Sequence, residues 1–181
     1  KLQLRLQQTV EGLSVAAIVY YVAGVVGYLA KAVKAGGAHI EPDLVVGIVI
    51  PIVALLVLME VRRGLLGLHK ALIIAEQLTY ERINGRVGST GQLLQLVLND
   101  PWFTWLHPLS QLVIRVDELL EEGEELTTVE VEHFLADVRA LIRPSEEGDG
   151  FERSYYEALQ REPDVIFAHV EVKKLVTKAA A

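Results

Sequence analysis

"LVVGIVIPIVALLVLMEVRRGLLGLHKALIIAEQLTYERING", residues 44–85, decides the fold, because its two halves follow different physical rules. From Leu44 to Met59 there is no charge, and the run is bounded by Asp43 on one side and Glu60-Val61-Arg62-Arg63 on the other. A helix that is apolar all round belongs in lipid or in a large core. After Gly64 the apolar residues recur at helical period, and the run closes on Asn84-Gly85, a helix-stop pair. The stretch therefore predicts a membrane segment that hands over to an amphipathic helix.

On the N-terminal side, Gly12–Ala30 is a second run without charge, about 28 Å long as a helix and so close to a bilayer's hydrocarbon thickness. Gly36-Gly37 and Pro42 mark the connection. The expectation is a transmembrane hairpin in residues 1–63, with helices over 8–34 and 43–63, followed by a helical domain over 64–181. The small residues Ala23, Gly27 and Gly47 suit close helix packing, and Pro51 suits a kink. No acidic or basic side chain lies mid-run, which disfavours a pore, although an oligomeric transport or channel subunit is a further alternative. Basic residues at Lys1, Arg5, Arg62, Arg63 and Lys70 outweigh Lys31 and Lys34, so both termini are expected in the cytoplasm. The chain opens on Lys1 rather than Met, as expected of a fragment or a processed form.

"LQQTVEGLSVAAIVYYVAGVVGYLAKAVKAGG" with "PDLVVGIVIPIVALLVLMEVRRG" resembles the C-terminal part of a bacterial inner-membrane family, domain of unknown function 3422. That resemblance implies a two-helix anchor at the bacterial inner membrane and no assigned activity. Residues 68–176, with "LLQLVLNDPWFTWLHPLSQLVIRVDELL" and "RALIRPSEEGDGFERSYYEALQREPDV", resemble small hypothetical bacterial helical proteins, again without an activity.

Charge divides the chain in the same way. Residues 1–63 carry six basic and four acidic side chains, net +2, and residues 64–181 carry 11 and 20, net −9. An acidic domain excludes nucleic acid as a partner, because that affinity comes from Lys and Arg on phosphates. The lack of cysteine excludes disulfides, thiolate metal sites and cysteine nucleophiles.

Within the acidic part the local signals are specific. Ser89 and Thr90 are candidate caps, Asp100 with Pro101 is a helix start, Thr127 with Glu130 is a capping box, and Pro163 opens a last helix. Apolar stripes run through Leu109, Leu112, Val116 and Leu119, through Val131, Phe134, Leu135 and Val138, and through Val165, Ile166, His169, Val172 and Val176. No segment alternates with period two. An all-α fold follows: the hairpin, then a compact acidic bundle of about five or six helices.

Chemistry is sparse. Glu130 and His133 form a Glu-x-x-His, but the second copy and the two further glutamates of a di-iron site are missing, so they are weak metal candidates. Ser89, Ser110 and Ser154 lack a nucleophile elbow, and "NGRVGSTG" lacks a Walker lysine. No cofactor is indicated. The densest aromatic stretch offers Trp102, Phe103, Trp105 and His107 as interaction candidates, read first as a packed corner and second as an exposed foot. The expected function is a membrane-anchored, non-enzymatic interaction or assembly module, with a lipid bilayer and a protein partner or a second copy as partners. The alternative is a metal-binding protein or enzyme with a site from His107, His133 and His169.

Overall fold

The computed structural model describes residues 42–122 and 126–178. All regular structure among the described residues is helical: α1 Pro42–Asn84, α2 Thr90–Asn99, a 3-10 helix Pro101–Leu106, α3 His107–Glu122, α4 Thr128–Leu141, α5 Gly150–Arg161 and α6 Pro163–Lys178. The chain divides into two compact units, residues 1–52 and 53–181, and the packing described below belongs to the second.

The helix α1 runs without interruption through Glu60, Arg62 and Arg63 to Asn84. Its buried apolar side chains are Ala54, Leu58, Val61, Leu65, Leu68, Leu72 and Ala75, alternating four and three apart. That is the spacing of a coiled-coil seam, which keeps one stripe of a long helix against its neighbours. Full burial of each leucine removes apolar surface worth about 1.5–3 kcal/mol from water. The helix ends where Gly85 adopts φ +89°, a conformation that glycine reaches without steric cost.

The expected transmembrane hairpin is corrected here. Among the described residues no helix is long and apolar enough to cross a membrane. The physical reason is visible in α1: beyond Val53 the uncharged run turns Ala54, Leu58 and Val61 into the protein core, and the same stripe continues past the arginines. That stripe packs against protein, while Ile52, Val53 and Met59 of the same run are exposed. Gly47 and Pro51 lie within α1. Ala23 and Gly27, with the whole run Gly12–Ala30, lie outside the described residues. The channel alternative is built on that hairpin, whose first run, Gly12–Ala30, lies outside the described residues.

Short-range signals set the remaining boundaries. The Ser89 side chain accepts from the Gln92 amide and caps α2. Asp100 accepts from the Trp102 amide and Pro101 follows at the first helical position, so the 3-10 helix starts where the dipeptide places it. Thr127 and Glu130 form the reciprocal capping box of α4. Around the seam of α1 the core adds Phe103, Leu106, Leu109, Val116, Phe134, Val138, Tyr155, Val165 and Val172, all 0% exposed. On α6 one expected inward residue points out: Ile166 is exposed, because Val165 and Val172 take the inward face.

Candidate functional site

The side chains with chemistry lie along one edge of α1, next to its seam. Arg62, His69 and Glu76 are seven residues apart and directly follow the buried Val61, Leu68 and Ala75. Seven residues are almost two helical turns, so the three project from one edge. Each meets a partner on the segment running back past it. Arg62 pairs with Asp117, His69 Nε2 lies 2.9 Å from Ser110 Oγ, and Glu76 Oε2 accepts from Trp102 Nε1 at 3.0 Å. The partner numbers fall as the α1 numbers rise, as two antiparallel elements in fixed register require.

Glu76 is the buried member, 5% exposed. Its second oxygen, Oε1, accepts from Arg161 Nη2 at 2.6 Å, which ties the end of α5 to the C-terminal part of α1. A buried carboxylate needs such partners, because desolvation of an unpaired charge costs several kcal/mol. The indole that serves it is held by its own packing: Tyr80 meets Trp102 edge-on at 5.8 Å and Phe103 at 5.8 Å.

His69 and Ser110 invite comparison with a nucleophile and its base. Ser110 Oγ has a single proton and two neighbours that accept one, His69 Nε2 at 2.9 Å and the Leu106 carbonyl one turn earlier at 3.3 Å, so the His69 tautomer sets the direction of the first bond. Burial holds the His69 pKa below its ordinary value and keeps the ring neutral. The pair joins α1 to α3.

A second polar pair joins α5 to α6. Tyr155 is fully buried, and its hydroxyl lies 2.7 Å from His169 Nδ1. The contact ties the two rings together whichever His169 nitrogen carries the proton. Burial raises the Tyr155 pKa far above its ordinary value. Burial first and the Lys173 charge second lower that of His169. Aromatic contacts extend the pair: Trp105 to Phe151 at 5.6 Å, Phe151 to Tyr155 at 5.3 Å and Tyr155 to His169 at 5.7 Å.

The residues singled out from sequence are distributed among different tasks. Trp102 and Trp105 are half-buried against the core, and Phe103 is fully buried, so the aromatic stretch is a packed corner. His107 is exposed at the start of α3. Glu130 accepts from the Thr127 hydroxyl at 2.6 Å and from its amide at 2.9 Å, and those bonds lower its pKa. The His133 side chain is 70% exposed and sits 3.9 Å from Asp137, which is itself paired with Arg115. His169 is bound to Tyr155. No group of three or more His, Asp or Glu side chains placed to hold a metal ion occurs among the described residues. Every buried side-chain nitrogen or oxygen among them has a hydrogen-bond partner. A shallow open depression of about 410 Å³, floored by Leu112 and Leu141 with Asp137 and Glu152 at its rim, gathers none of the paired histidines.

Sequence reasoning missed Glu76, Arg161 and the partners of His69 and His169. The seven-residue spacing of Arg62, His69 and Glu76 beside the seam was the available signal.

Residues 1–65 match the family described as Protein of unknown function (DUF3422). The match supports the resemblance read from the N-terminal segments. It ends at Leu65, so every pair involving His69, Glu76, Tyr155 or Arg161 lies beyond it. No curated protein matches the chain, and no solved structure does.

Proposed function

We propose that this chain is a helical module for interaction or assembly, with a protein partner or a second copy as its ligand. The observation that carries the reading is the outward face of α6, where Phe167 is 67%, Ile166 44% and Val170 40% exposed on adjoining positions. Large apolar side chains grouped on one helix face mark a surface with a protein ligand more often than scattered ones do. The polar groups of the interior support the same reading: Glu76, His69 and His169 are each committed to a partner on another helix.

The test is crosslinking of the full chain in its native cell, comparing the wild type with Phe167→Ser. Discrete crosslinks from α6 that weaken in the variant are expected. A profile that is diffuse and identical in both would overturn the reading. Association with the bacterial inner membrane, and a lipid bilayer as a further partner, belong to the same proposal. They rest on the uncharged run Gly12–Ala30 alone. Recovery of the native protein entirely in the soluble fraction would remove that part.

A further inference from the structure

On α6 the exposed residues Ile166, Phe167, Val170, Lys173, Lys174 and Lys178 share one outward face at 100° per residue, and the acids Asp164 and Glu171 both fall on its one flank, next to Lys178. The face is therefore apolar in its first half and cationic in its second. It belongs to a stretch, residues 64–181, whose net charge is −9. A surface that is both apolar and positive calls for an occupant that is apolar and negative.

The same chain carries such a surface on α3. Ile114 is 57% exposed, and the exposed Glu118 and Glu121 follow it four and seven residues later on the same face. On α6 the exposed Lys174 and Lys178 follow Val170 by four and eight residues. With the two helices parallel and Val170 against Ile114, Lys174 meets Glu118 and Lys178 falls beside Glu121. Reversing the direction would carry the lysines to the level of Ser110 and Leu106, where the exposed neighbours are Gln111 and His107 and no acid waits. None of Glu118, Glu121, Lys174 and Lys178 has an ion-pair partner among the described residues.

We propose that α6 of one copy docks parallel against α3 of a second copy, with Phe167 and Val170 as the apolar anchor and Lys174 and Lys178 facing Glu118 and Glu121. The proposal rests on the assembly reading above and names its occupant. The contact is head-to-tail, because the two surfaces differ. A pair keeps a free α3 on one copy and a free α6 on the other, so association continues copy by copy, into a ring where the rotation closes and an open filament where it does not.

Sedimentation velocity of the full chain tests it. The wild type is expected to show an average mass above the 20.0 kDa of one chain, rising with protein concentration and falling as salt screens the charges. K174E/K178E and E118K/E121K are each expected to sediment as a single copy, with association at least tenfold weaker. An equimolar mixture of the two is expected to associate again, since each reversed surface then meets its complement. Lys174→Ala/Lys178→Ala is the milder variant should charge reversal disturb the fold, with helical circular dichroism as the control. A wild type that stays single, or a mixture that fails to restore association, overturns the contact. So does self-association through other segments that ignores all variants, or binding of α6 to vesicles of anionic phospholipid without self-association. Crosslinks to another protein that persist while the chain sediments singly would overturn this contact and leave the module reading standing. Loss of both would remove the two together.

Discussion

Replacing Arg161 with alanine tests the buried carboxylate most directly. Glu76 is 5% exposed and accepts from two donors, Trp102 Nε1 at 3.0 Å and Arg161 Nη2 at 2.6 Å. Removing one partner of a buried ion pair typically costs about 3–5 kcal/mol, because the remaining charge is stranded. The Arg161 side chain is 35% exposed, so water enters its place and the cost is discounted to about 2 kcal/mol. With a urea slope of about 2 kcal/mol/M, the unfolding midpoint falls by roughly 1 M. Glu76→Gln keeps an acceptor for the indole and removes the charge, so it costs about 1 kcal/mol. The decisive quantity is the combination. In the Glu76→Gln background, Arg161→Ala strands no charge and costs at most about 0.5 kcal/mol, which leaves a coupling of about 1.5 kcal/mol. Urea titrations followed by circular dichroism at 222 nm, for the wild type, both single variants and the double variant, measure it. Additive costs, within about 0.5 kcal/mol, would refute the claim that these two side chains hold each other.

Further outcomes follow from the same packing. His69 and His169 both have folded pKa values below 6.5, so the unfolded chain takes up protons first as the solution is acidified. Their contribution to stability is complete above pH 6.5 and is lost as pH falls through the folded values; urea midpoints at pH 7.5 and 5.5 should differ, and His69→Gln should narrow the gap. Tyr155→Phe leaves His169 Nδ1 without its hydrogen-bond partner and costs about 1 kcal/mol, read from the urea midpoint, whereas no change would mean that water replaces the phenol. Gly67 has open space where a Cβ would stand, so Gly67→Ala should gain about 1 kcal/mol of helix propensity. At Gly64 a Cβ would lie 2.9 Å from Leu175 Cδ1 and 3.3 Å from Val172 Cγ2, so Gly64→Val should lower the melting temperature by pushing α6 off α1.

The sequence alone determined the class and most of the punctuation. Ser89, Asp100-Pro101, Thr127 with Glu130, Pro163 and Asn84-Gly85 set helix ends through hydrogen bonds and steric limits that span only a few residues. The apolar stripes of α3 and α4 were legible for the same reason, since helical period is a local property. Only the tertiary structure decided how the uncharged run of α1 is used. Composition measures how apolar a stretch is, and lipid and protein cores reward that equally. The alternation from Ala54 to Ala75 is what assigns its second half to protein. The polar pairs were likewise out of reach: Trp102 and Arg161 meet Glu76 from 26 and 85 residues away, and Ser110 meets His69 from 41. Such meetings depend on the register of one helix against another, which long-range packing sets and no short stretch of sequence contains.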